Sequence, residues 1–232
     1  MSLVKYGGGI IQMSGSMAGN TFARNRYGNY VRARTKPINP QTSRQGAVRA
    51  VIQLLTTRWS QTITPTQRTA WNLYADSVSM KNKLGEVIKL SGFNHFIRSN
   101  SSLLRIGCPV VDDGPTVFEL PEADTTFAIT ISEATQKITG TYNDNAAWCN
   151  ETGGWMWLYV GAPQNAQRNF FDGPWRYTGA IEGQTGGAPS SPFVCSSAFA
   201  VSLGQRVWCY ARILRADGRL SEVFRADCFC AA

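Results

Sequence analysis

Between Cys108-Pro109 and Asp112-Asp113-Gly114-Pro115 the chain changes hydrophobic period and charge sign together, and that break constrains the fold more than any single motif. Before it, apolar residues recur every three to four positions, the spacing of helices buried along one face. After it, they alternate with polar residues, the spacing of half-buried strands. Residues 1–107 hold fifteen Lys or Arg against two acids, Asp76 and Glu86, whereas residues 108–232 hold eight against thirteen. The expectation is an α+β protein in four parts. These are an extended basic Gly-rich arm (1–40), a small helical domain with a hairpin (41–107), a linker (108–116) and an antiparallel β-sandwich of immunoglobulin or fibronectin III kind (117–232).

The first forty residues are rich in Gly, Asn, Ser and Arg and sustain no apolar period. Yet Tyr6, Ile10, Ile11, Phe22, Tyr27, Tyr30 and Val31 give them more apolar content than a solvated tail carries. They read as an arm that lies on a neighbouring chain. Its sharpest stretch sets Arg24, Arg26, Arg32, Arg34 and Lys36 among Tyr27 and Tyr30 in a strand-like rhythm. Ten basic residues precede the first acid, so the partner is expected to be negative. Arginine and tyrosine suit an acidic protein surface. They also suit phosphate contact with base stacking, so nucleic acid is the less favoured alternative.

Thr42 or Ser43 opens a helix whose face holds Val48, Ile52, Leu55 and Trp59. Thr64-Pro65-Thr66-Gln67 opens a second, with Thr at N-cap, Pro at the first helical position and Gln closing a capping box. Trp71 and Tyr74 lie on its buried face, and the two helices are expected to pack as an antiparallel pair with Trp59 and Trp71 between them. A hairpin turns at Leu84-Gly85, and Ser91 caps a third helix carrying Phe93 and Phe96 inward. Past the linker, period-two segments at 127–132, 137–142, 155–160, 206–213 and 222–224, with a turn at 216–220, have sandwich spacing.

Chemistry is sparse. The only histidine, His95, lies beside Phe93 and Phe96 and is expected on a helix surface or interface. No catalytic pair, metal site or cofactor is expected. The six cysteines lack zinc-knuckle spacing, and Cys149, Cys195, Cys209, Cys228 and Cys230, all in the sandwich, are disulfide candidates. The glycines at 7–9 and 15–19 lack the strand, lysine and helix of a phosphate loop. No apolar run approaches a membrane span, and the N-terminus has no secretory apolar region, so neither a membrane nor export is expected.

Gly19-Asn20-Thr21-Phe22, Lys36-Pro37-Ile38-Asn39-Pro40, Arg44-Gln45, the stretch opened by Thr64-Pro65 and continuing Ala70-Trp71-Asn72-Leu73-Tyr74-Ala75, and Leu90-Ser91-Gly92-Phe93-Asn94-His95 follow one another over roughly residues 7–105. In this order they resemble an uncharacterised family of tailed-bacteriophage and prophage virion proteins. The resemblance implies a non-enzymatic structural protein, made in the host cytoplasm and built into the particle. Its partners would be capsid, neck or tail subunits in a homo-oligomeric setting. Capsid decoration or cementing is the first expectation, and a neck, collar or tail-attachment role the alternative. A sugar-binding sandwich, stacking through Trp148, Trp155 or Trp175, is a lesser one.

Overall fold

The computed structural model describes residues 2–35, 38–82 and 84–232. Its first element group is a sheet. Strands β1 (Ser2–Leu3), β2 (Gly15–Met17), β3 (Asn20–Asn25) and β4 (Gly28–Ala33) pair antiparallel in the order β1-β4-β3-β2. The extended arm expected over 1–40 is therefore overturned. The strand rhythm finds its partners within the chain, because Asn25 accepts the Tyr27 amide at 2.9 Å and turns β3 back onto β4.

Helices α1 (Ser43–Gln61), α2 (Pro65–Ser77) and α3 (Gly92–Arg105) follow, with a two-stranded hairpin, β5 (Met80–Lys81) and β6 (Val87–Ile88), before α3. Thr42 caps α1 and Thr64 caps α2, each in a complete capping box with the glutamine three residues on. Ser91 accepts the Asn94 amide to cap α3. Leu55, Ile63, Trp71, Tyr74, Val78 and Phe96 form the helical core. Two parts of the expected packing are corrected. Phe96 of α3 stands between the two tryptophans, its ring 5.3 Å from Trp59 and 5.7 Å from Trp71, so α1 and α2 meet chiefly across α3. Val48 and Ile52 are exposed rather than core, because α3 covers only the C-terminal half of α1. Phe93 is half-buried against Trp59.

His95 is also corrected. It is 1% exposed, its ring set edge-on to Tyr74 at 5.1 Å. The buried residues of α3 are Gly92, His95, Phe96, Ser99, Asn100 and Leu103, a stripe at helical spacing that includes the histidine.

The segment expected as a linker is a strap bound to the helices. Asn100 donates to the Val111 carbonyl and accepts its amide, at 3.0 and 2.8 Å. Trp71 Nε1 donates to the Asp112 carbonyl at 2.9 Å, and the Arg58 guanidinium makes two 2.6 Å bonds to the Asp112 carboxylate. Gly114 runs so close to α2 that a Cβ there would stand 2.6 Å from the Trp71 nitrogen.

Beyond the strap lie β7 (Ala128–Ser132), β8 (Lys137–Thr141), β9 (Trp155–Gly161), β10 (Trp175–Glu182), β11 (Phe193–Ser196), β12 (Arg206–Leu214) and β13 (Phe224–Phe229). They form two antiparallel sheets, β10-β9-β12-β13 and β11-β8-β7. Alternate residues such as Ile129, Ile131, Ile138, Leu158, Val160, Val207 and Ala211 fill one core. On the opposite face of the larger sheet, Trp157 and Leu214 receive Leu103 of α3 together with Leu220. Arg98 of α3 donates to the carbonyls of Leu220 and Ser221 at 2.6 and 2.5 Å. The 216–220 turn forms as expected, although β13 begins at Phe224.

All six cysteines are free thiols: Cys149, Cys209 and Cys230 are buried, while Cys108, Cys195 and Cys228 are half-buried. The disulfide candidates are not paired, since strand register sets Cys209 across from Ala226 and Val160, Cys228 across from Val207, and Cys195 across from Ile138.

Candidate docking surface

The basic residues singled out in the sequence come together on the N-terminal sheet, but not on one face. In the β3–β4 register, Phe22 opposes Val31 and Arg24 opposes Asn29, whereas Thr21 opposes Arg32 and Ala23 opposes Tyr30. Residues directly opposite share a face, so Arg24 and Arg32 point to opposite sides. Arg26 occupies the turn, Arg34 follows β4 with its amide on the Gly19 carbonyl at 2.8 Å, and Lys36 lies outside the described residues. Arg24, Arg26, Arg32 and Arg34 are exposed, and none is in an ion pair among the described residues. Only Arg24 has a side-chain partner here, donating to Gln12 at 3.2 Å.

The tyrosines differ from the arginines. Tyr27 is half-buried, and its hydroxyl accepts from Asn94 of α3 at 2.5 Å. It is an internal anchor rather than a free stacking surface. Lys5 pairs with Glu86 at 3.1 Å and makes a second anchor. The Glu86 carboxyl is held below its ordinary range first by the Asn82 amide and then by Lys5.

No described residue between 2 and 35 is buried, and Ile10, Ile11 and Met17 are 50%, 85% and 63% exposed. A sheet of two- to six-residue strands ordinarily needs a hydrophobic face laid on something. Among the described residues the region has two polar tethers to the helices and hairpin, Tyr27–Asn94 and Lys5–Glu86, and a fringe of guanidiniums in no ion pair.

The tryptophans proposed as sugar platforms are occupied. Trp148 is 2% exposed. Trp155 stacks on Trp157 at 5.6 Å, and Trp175 is half-buried against Phe171, Tyr210 and the guanidinium of Arg225. Arginine over aromatic recurs across this sheet, as in Arg206 over Phe229 and Arg225 over Trp175, both at 5.5 Å, and the sequence reading missed these two because their partners lie far apart in the chain.

The histidine is sealed away from solvent, and burial, aided by Arg98, pushes its pKa down to about 4. Among the described residues no group of three or more His, Cys, Asp or Glu side chains converges as metal ligands do, and no helix is long and apolar enough to cross a membrane. Neither a scan against protein-family models nor a search of curated proteins finds a match to this chain.

Proposed function

We propose that the chain is a non-enzymatic structural subunit of a tailed-bacteriophage particle, held on neighbouring subunits through its basic N-terminal sheet. One observation carries the docking part of this reading: a four-stranded sheet without a buried residue, with exposed arginines that are in no ion pair among the described residues. A second surface of acidic character would supply both the missing apolar cover and the counter-charge. The particle setting rests on the order of motifs between residues 7 and 105. Many weak sheet contacts on a repeated lattice sum to firm attachment, which favours capsid decoration or cementing ahead of a neck, collar or tail position.

We also read the C-terminal sheets as a fibronectin type III sandwich. Lettered in chain order, β7, β8 and β11 are A, B and E, and β10, β9, β12 and β13 are C′, C, F and G. The immunoglobulin scheme opposes A, B, E and D to C, F and G; a strand beside C in place of one beside E is the fibronectin variant.

Nucleic-acid binding is the weaker reading, because the Asn94 contact occupies one of the two tyrosines that would stack on bases. The deciding experiment is removal of residues 2–35, followed by quantitative mass spectrometry of purified particles. The expected result is a folded remainder that is lost from particles, with the intact chain near-stoichiometric to capsid protein for decoration or at tens of copies for a neck or tail position. Absence of the intact chain from clean particles, with salt-sensitive DNA or RNA shifts, overturns the structural role.

A further inference from the structure

The N-terminal half of α1 has an apolar edge that no other described element covers. Val48 is 50% and Ile52 45% exposed, one helical turn apart on the side that also holds Val51 and Leu55. Between this edge, α3 and β10 runs a groove of about 780 Å³. Its floor is aliphatic, from Val48, Val51 and Ile52 on α1 and from Ile97 and Leu104 on α3. Its rim is cationic, with Arg44 at the start of α1, Arg105 at the end of α3 and Arg176 on β10, and no Asp or Glu lines it.

The rim cations are available and two of them are held in place. Among the described residues none of the three is in an ion pair. Arg105 lies over the Tyr177 ring at 5.7 Å and Arg176 over the Phe199 ring at 4.4 Å, so their guanidiniums are positioned without being neutralised. From Arg44 to Ile52 the α1 wall is about 12 Å long, room for roughly two turns of a helix laid alongside.

We infer that this groove docks an acidic amphipathic helix from a different protein, with aliphatic side chains at i, i+3, i+4 and i+7 in the floor and carboxylates against Arg44, Arg105 and Arg176. A second copy of this chain does not fit. Its three helices contain one acid, Asp76, and so offer no helix with the required charge. Two rings, Trp175 and Tyr177, stand on the β10 side of the groove, but Trp175 is engaged by Phe171, Tyr210 and Arg225 and Tyr177 by Tyr159 and Arg105, and the aliphatic residues of α1 and α3 opposite them favour an apolar helix face over stacked bases. The inference is independent of where in a particle the chain sits, because no residue of the N-terminal sheet lines the groove.

The test uses the purified full chain and two fluorescein-labelled helical peptides that share a leucine stripe, one flanked by glutamates and the other by lysines. The glutamate peptide should bind with micromolar affinity, and the lysine peptide at least about tenfold more weakly. Ile52→Asp, at an exposed position, should lower glutamate-peptide affinity at least about tenfold with the melting temperature unchanged. Arg176→Glu should shift preference toward the lysine peptide. Equal binding of the two peptides, no binding, or indifference to Ile52→Asp overturns the inference. So does a self-associated chain that Ile52→Asp converts to monomer, which would give the groove to a second copy.

Discussion

A histidine between two phenylalanines on an amphipathic helix can face either way, and in α3 the choice is decided by Gly92, Ser99 and Asn100. These small or polar residues complete the buried stripe that includes His95, and they disguise it, since a hydrophobic count weights Phe93 and Leu104 instead. Asn100 earns its buried place by pairing with both backbone groups of Val111. Among the described residues His95 has no such partner at Nε2. Its folded pKa of about 4 lies below the ordinary value of 6.5, so folding favours the neutral ring. The resulting stability is fully present above about pH 6.5 and is lost as pH falls toward 4. Between neutral pH and a pH of about 4.5 the loss should be about 2 kcal/mol. Denaturant titrations at the two pH values should show it, and His95→Phe should flatten the difference. An undiminished difference in the variant would assign the acid sensitivity to the carboxylates.

The helices were the most legible elements because their ends are written in local chemistry. Thr64 accepts the Gln67 amide at 3.3 Å while Gln67 accepts the Thr64 amide at 2.9 Å, a reciprocal pair that depends only on residues three apart. Thr64→Ala should cost about 1 kcal/mol, with Thr64→Ser close to wild type, measured by thermal unfolding. Strands β7, β8, β9 and β12 were equally visible, β7 and β8 because they alternate and β9 and β12 because they are runs rich in aromatic and aliphatic residues. Strand β10 was not: a register shift between Tyr177 and Gly179 breaks its alternation, and β11 is only four residues long. The N-terminal sheet was half legible. Its strand rhythm is in the sequence, but which arginines share a face depends on the turn at Arg26-Tyr27, and moving that turn by one residue would reverse the assignment. The exposed edge of α1 escaped for a related reason, because periodicity names the apolar face of a helix and says nothing of how far along it a partner extends.

At the level of the molecule, the break in period and charge near residue 108 marks a change of architecture without marking a loose joint. Arg58 holds the strap through Asp112, Arg98 holds the backbone after β12, and Gly218 in the turn before β13 abuts Trp71, leaving 3.1 Å between a Cβ there and the indole. Residues 41–232 should therefore unfold in one transition, with tryptophan fluorescence and far-ultraviolet dichroism coincident. Arg98→Ala should lower stability by about 2 kcal/mol by leaving the Leu220 and Ser221 carbonyls without their donor. Two separated transitions would show that helices and C-terminal sheets are independent. The free thiols of the sheets have a use in this setting. Burial pushes Cys149 and Cys228 up to about 11 and Cys209 well above its ordinary value, and only a thiolate reacts readily. Closed, these sulfurs are silent to alkylating reagents; parted, they respond. The protein thus contains its own chemical clock, in which the pace of labelling at each cysteine counts how often the two sheets come apart.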